Sequence, residues 1–255
     1  MDYILICPSH RRAKTFLYKT YSLLCATNAP KPIVWVNDEI DHIEYYKLFQ
    51  EHNIHLEIRV GGNSIAEKRN LIQQAFPLGT KIVSIDDDIQ KIVVLESDNK
   101  VKQLVDFNCF VSEAFRLCEE QNTTLWGVYP VANPFFLKKK IRTNLCYIVA
   151  AFYGFINNNV EVDLSYCEDF ERSLKYYLQE KKLLRFECVG ILTKYYKEKG
   201  GLQTTRTEES NKRDKEELAT RYHTLCRTVL KRNRKEISFF RTKEPLLDYE
   251  PTNIL

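Results

Sequence analysis

Three adjacent carboxylates, Asp86, Asp87 and Asp88, close the apolar run Ile82-Val83-Ser84-Ile85 and are followed by Ile89. The β-branched residues Ile82, Val83 and Ile85 make that run a buried strand. An unpaired buried charge costs several kcal/mol, so the acids belong at the strand's carboxyl end, facing water or a cation. In open α/β sheets ligands bind at that end. Because side chains alternate along a strand, Asp86 and Asp88 are expected on one side and Asp87 on the other. Two hard oxygen donors on one side suit Mg2+ or Mn2+ holding a diphosphate. An acidic turn that only closes a strand is the plainer alternative. A second acidic pair, Glu168-Asp169, stands near the start of an amphipathic helix with Phe170, Leu174, Tyr177 and Leu178 expected inward. The helix macrodipole favours carboxylates there, so this pair reads either as a general base or as helix-start chemistry. Lys68-Arg69-Asn70 lies in the first two turns of a third helix, opened by a capping box from Ser64 to Glu67. An arginine beside a helix start suits phosphate, and a surface arginine suits it equally well on local grounds.

The elements that must position these groups alternate at short spacing. Tyr3–Cys7 reads as a strand ending in Pro8-Ser9-His10-Arg11-Arg12, followed by a helix over 14–26. Ile33–Asn37 is the next strand, with Asp38-Glu39 at its carboxyl end, then a helix over 41–52 and a strand over 56–60. This is the pattern of βαβ units and a mostly parallel sheet. Further strands are expected at Ile89–Leu95, Leu125–Val131 and Leu183–Val189, and a sheet-edge strand within Cys146–Ile156. A helix ending near Gln121 carries Phe107, Phe110, Val111, Ala114, Phe115 and Cys118 on one face. After Thr207 a helix is expected with Leu218, Tyr222, Leu225 and Val229 on one stripe, and residues from Thr242 read as an extended tail. There is no GxGxxG and no Walker A lysine loop.

The chain has 255 residues, 44% hydrophobic and 28% charged, which fits a folded globular protein rather than a disordered one. No apolar run reaches membrane-span length and no basic leader precedes the first strand, so a cytoplasmic or nuclear protein without a membrane partner is expected. Its 8 cysteines are scattered without a CxxC pair, so they read as small core residues in a reducing compartment, not as a zinc site. The net charge of +4 is uneven. One basic cluster spans 138–142 and another 221–235, either as solvated faces or as contacts for a polyanion such as DNA. Trp126, Tyr129, Phe135, Phe136 and Tyr153 supply aromatic surface, for the core or for stacking on a sugar or base.

The order of these features resembles the GT-A glycosyltransferases, which use a nucleotide-sugar donor. It resembles in particular the base-J and related viral and phage enzymes that act on hydroxymethylated DNA bases, where an Arg-Asn pair also precedes an Asp-Asp-Asp motif. The resemblance spans most of residues 3 to 205. It implies an α/β GT-A (Rossmann-like) fold, a mixed, mostly parallel sheet flanked by helices, with a helical C-terminal extension. Residues 1–205 would form the transferase domain, with a nucleotide-sugar half over about 1–100 and an acceptor half over 101–205. Residues 206–255 would be the basic extension and tail. Carried over by position, the resemblance implies that Pro8, Ser9, Arg11 and Arg12 line the nucleotide pocket. Asp38 or Glu39 would contact the base or ribose, and Arg69 the pyrophosphate or ribose. Asp86 and Asp87 would lie against the donor, with Asp86 on the ribose or a metal-bound water. Asp88 would be the main ligand of Mn2+ or Mg2+, and Asp169 or Glu168 the base that takes the acceptor proton.

The resemblance thus implies a metal-dependent, inverting hexosyltransferase moving a sugar, glucose foremost, from UDP to an acceptor hydroxyl. A hydroxymethylated DNA base in a virus-infected host cell is one acceptor, and a glycan or protein hydroxyl another. A nucleotidyltransferase that releases pyrophosphate and a catalytically idle nucleic-acid-binding module are the readings from other classes. The family often adds a late histidine ligand. Only His223 stands late in this chain, beside the stripe of the last helix, where a surface or packed role is expected. The loop Tyr195–Gln203, with Gly200-Gly201, is expected to close over the donor and bring Lys197 or Lys199 near phosphate.

Overall fold

The computed structural model describes residues 2–193, 207–231, 234–243 and 246–254. The loop expected to close over the donor lies outside them. Strand β1 (Ile4–Pro8) pairs in parallel with β2 (Ile33–Val36) on one side and β4 (Lys81–Ile85) on the other, and β3 (Ile58–Val60) extends the sheet beyond β2. The order β3-β2-β1-β4 reverses direction of travel at β1, so the gap above β1 and β4 is the switch point where open α/β sheets bind ligands. Beyond β4 come β9 (Phe152–Ile156), β7 (Leu125–Tyr129), β10 (Leu184–Leu192), β8 (Lys140–Arg142) and β13 (Leu246–Asp248). Strands β9 and β8 run against the others, so the sheet is mixed and mostly parallel. Strands β5 (Lys91–Ser97) and β6 (Lys100–Gln103) form a hairpin attached to β10.

Side-chain alternation explains the layers. Leu5, Cys7, Val83 and Ile85 enter one apolar cluster, together with Phe16, Phe49, Phe110 and Phe115 from helices on that face. Ile6 and Ile82 enter a second cluster, with Ile72 of α4 (Ile65–Gln74) and Leu174, Tyr176 and Tyr177 of α6 (Glu168–Glu180). The first face is covered by α1 (Ala13–Phe16), a π-helical turn (Leu17–Tyr21), α2 (Ser22–Ala26), α3 (Glu39–Glu51) and α5 (Phe107–Gln121). Leu178, expected inward on α6, is 42% exposed, because Tyr176 and Tyr177 take the buried stripe instead.

Two expectations are corrected. The strand within Cys146–Ile156 is not at an edge: β9 pairs with both β4 and β7. Gly154 permits this, since a Cβ there would run into the Trp126 ring across the pair. The C-terminal extension is only partly helical. Helix α7 (Glu208–Arg221) ends before Tyr222, and a hairpin of β11 (Cys226–Lys231) and β12 (Arg234–Phe239) follows. The spacing of Leu218, Tyr222, Leu225 and Val229 imitates a helical stripe, but the β-branched and aromatic content of the hairpin decides for strands. Leu218, Cys226 and Ile237 join the same cluster as α6, so the extension shares the second core. The tail, in turn, adds β13 to the sheet. All eight cysteines are free and six are buried. Among the described residues no helix is long and apolar enough to cross a membrane.

Candidate active site

Strand β4 ends at Ile85, and the three acids sit in the turn that follows. Strand alternation therefore does not govern them, and the expected pairing of Asp86 with Asp88 against Asp87 is corrected. Asp87 turns to β1: its carboxylate accepts from Ser9 Oγ and, at 3.1 Å, from Arg12. The same guanidinium lies 3.7 Å from Asp88, whose other oxygen accepts from Thr193 Oγ1 at 2.7 Å. Asp86 turns the other way, to Arg69 at 3.1 Å. The turn itself is clamped by Thr20 of the π-helical segment, which donates to the Asp86 carbonyl at 2.7 Å and accepts from the Ile89 N–H at 3.0 Å. A π turn inside a helix commonly marks a functional site.

Crowding shows in the acids' proton affinities. Asp86 is pushed up to about 7, first by lost hydration and then by Asp88 and Asp87, against the pull of Arg69. Its side chain keeps 36% of its surface open, so solvent in the cleft tempers that rise. Asp87 is pushed up to about 6 by burial and by Asp88, with Arg12 and Ser9 opposing. Lys68 is drawn down to about 8 by burial. Its ammonium donates to the Ser9 and Trp35 carbonyls at 2.8 and 3.2 Å and to Asn37 Oδ1, tying α4 to the ends of β1 and β2.

Arg69 is 3% exposed and reaches through the wall between the two acidic sites. It donates to Ser84 Oγ, to Asp86 and to the Ala150 carbonyl at 3.2 Å, and its Nε lies 3.8 Å from Glu168. Glu168 also pairs with Arg172, so its buried carboxylate is held between two guanidiniums. That is an anchor's environment, and it corrects the expectation that Glu168 serves as a base. Asp169 is different. It accepts from Tyr147 Oη and from the Phe170 N–H at 2.9 Å, faces the cleft, and has its pKa raised by burial against those hydrogen bonds.

One cleft of about 1150 Å³ gathers Pro8, Ser9, Arg12, Arg69, Asp86, Asp87, Asp88, Glu168 and Asp169. Arg11 and Asp38 are not in its lining. Arg11, at φ 54°, pairs with Asp38 and Asp41. Asp38 caps α3 by accepting from the Asp41 N–H at 2.8 Å. Both were expected at the nucleotide, and helix capping has taken the aspartate instead; Asn37 lines the cleft in its place. Glu39 is solvent-exposed. Sequence reasoning missed Tyr147, Thr20 and Thr193, none of which stands in a motif, and gave Lys68 of the Lys68-Arg69-Asn70 run no role of its own. His223 is exposed and bonds its own helix end.

Asp86 and Asp88 are hard oxygen donors at the cleft floor. Among the described residues no group of three or more His, Cys, Asp or Glu side chains is drawn together as a cage. The donor set fits a divalent cation of the Mg2+ or Mn2+ type, which keeps several waters and is held by one or two carboxylates plus substrate phosphates. The basic cluster at 138–142 is largely spent on ion pairs: Lys139 with Glu250, Lys140 with Asp248 and Arg142 with Glu187. In the second cluster Arg221 pairs with Glu217 and Asp163, and Lys235 with Glu216, while Arg234 and Lys235 line the cleft. Of the aromatic candidates, Trp126 and Tyr153 are core, and Phe135 and Phe136 are exposed.

Strand order, switch-point cleft and flanking helices define a GT-A fold. Among solved structures the chain is similar to S. aureus TarS residues 1–349, with a TM-score of 0.51 and 12% identity over 75% of this chain and 59% of that one. The same segment in complex with UDP gives a TM-score of 0.50 at 13% identity. GalNAc-T7 with UDP, GalNAc and Mn2+ gives 0.53 at 10% identity, covering 86% of this chain and 48% of that one. The chain thus spans about half to three-fifths of the length of these neighbours. No family model and no curated protein matches it.

Proposed function

We propose that the protein is a metal-dependent glycosyltransferase that moves a hexose from a UDP-sugar to an acceptor hydroxyl, with inversion. The observation that carries the reading is the meeting, in one cleft, of the Asp86–Asp88 turn and Asp169 on opposite sides of the Arg69 bridge. A cation held directly by Asp88, with Asp86 reaching it through a bound water, would offset the negative charge that grows on the leaving diphosphate. Arg12 holds the acidic turn against β1 and adds positive charge beside it. Lys68 and Ser9 fix the floor under the nucleotide. Asp169 takes the acceptor proton, and its burial keeps its proton affinity above that of an ordinary carboxylate, closer to working pH. A base on the far side of the reacting carbon favours inversion. The UDP and Mn2+ named in the GT-A neighbours support the donor and cation classes.

The first basic cluster gives a DNA acceptor no support, since it is neutralised by its own acids, and in the second Arg221 and Lys235 are likewise paired. The reaction class is tested by incubating the protein with UDP-glucose and MnCl2, with water as the acceptor of the glucosyl group, and separating the products. Free UDP is the expected product. Glucose 1-phosphate released from UDP-glucose, or pyrophosphate released from UTP and glucose 1-phosphate in a parallel reaction, would instead assign the chain to nucleotidyl transfer.

A further inference from the structure

We infer that Tyr147 is the positioning residue of Asp169, and that the C-terminal hairpin holds it there through Phe170. The inference rests on the glycosyltransferase reading and names a component that reading does not need. Tyr147 Oη donates to one carboxylate oxygen of Asp169, and the Phe170 N–H donates to the other. This fixes the carboxylate plane from both sides. The tyrosine is itself pinned three ways. Its carbonyl accepts from Arg185 Nη1 at 2.9 Å. The next residue, Ile148, donates its N–H at 3.0 Å to Ser173 Oγ, whose hydroxyl donates at 2.8 Å to the Asp169 carbonyl. Its ring stacks on Phe170 with centroids 4.4 Å apart. Phe239 of β12 closes the stack, edge-on to Phe170 at 5.7 Å. The hairpin therefore bears on the base through two aromatic contacts without touching its carboxylate. An aromatic stack of this kind limits ring rotation more than a lone tyrosine could.

The charged and titratable groups around Asp169 are Tyr147 from the loop before β9, Arg69 from α4, Glu168 and Arg172 on its own helix, and Lys215 and Glu236 from the extension across the cleft. Among them Tyr147 donates directly to the carboxylate, and that bond favours the charged form. Removing it must raise the proton affinity of Asp169, so the acidic limb of the activity profile moves to higher pH.

The experiment compares wild type, Tyr147→Phe and Phe239→Ala. UDP release from UDP-glucose is followed across pH, and affinity for UDP with MnCl2 is measured separately. For Tyr147→Phe the expected result is a fall in kcat of about 10- to 100-fold, the worth of one hydrogen bond to a charged group. The acidic limb should rise by about one pH unit and UDP affinity should stay within about twofold of wild type. Phe239→Ala should lower kcat by about 3- to 10-fold in the same direction. A Tyr147→Phe enzyme with wild-type kcat and pH profile overturns the inference while leaving the glycosyltransferase reading intact, and so does one whose loss lies wholly in UDP affinity. A wild-type protein that neither binds UDP with manganese nor releases it overturns both.

Discussion

Asp169→Asn is expected to lower transfer by about 10²- to 10⁴-fold, the usual worth of a positioned general base, while UDP binding in the presence of Mn2+ stays near wild type. Asparagine keeps the shape: its amide oxygen can accept from the Phe170 N–H while its NH2 donates to the Tyr147 hydroxyl, so the fold survives and proton acceptance is lost. Glu168→Gln provides the contrast. Its carboxylate is enclosed by Arg69 and Arg172, so neutralising it removes a buried counter-charge, and the effect falls on stability. Steady-state rates and melting temperatures of the two variants separate base from anchor. If Glu168→Gln lost turnover at full stability while Asp169→Asn kept it, the two roles would be exchanged.

Arg69→Ala carries the largest expected effect on stability. The guanidinium is 3% exposed, holds Asp86 and Ser84, approaches Glu168, and lies 5.3 Å from the Tyr153 ring centroid. Deleting it leaves Asp86 without its cation and Glu168 with one partner in place of two. Breaking a buried ion pair from one side costs about 3–5 kcal/mol. For a chain of this size that corresponds to a fall in Tm of roughly 6–20 °C. Arg69→Lys should recover little, because a point-like ammonium cannot serve Ser84, Asp86 and the Ala150 carbonyl together. A fall below about 2 °C for Arg69→Ala would show that the bridge carries no such load.

The elements over residues 1–100 were legible because their signals are local. Ser64 accepts from the Glu67 N–H as a capping sequence requires, although Glu67 reaches back to the Asn63 N–H rather than to Ser64 itself. The run Ile82–Ile85 is the buried strand its β-branched residues call for, and the acids lie just past its end. What stayed hidden depends on contacts between distant segments. Asp38 looked like a ligand-facing acid, but the adjacent helix start claimed its carboxylate. Nothing local in Glu168-Asp169 tells the two acids apart; α6 turns one toward Arg172, four residues on, and the other toward Tyr147. Lys139 and Lys140 read as free charge because their partners Glu250 and Asp248 stand more than a hundred residues away in sequence. The final hairpin was mistaken for helix because four apolar residues fell at helical spacing across a turn.

The most direct test of the account is a calorimetric titration of UDP into wild type and Asp88→Ala, each with and without MnCl2. Wild type should bind UDP with manganese and lose most of that affinity without it, and Asp88→Ala should bind at least about 100-fold more weakly with manganese present. Equal, manganese-independent binding by both proteins would contradict the claim that this acidic turn grips a diphosphate through a cation.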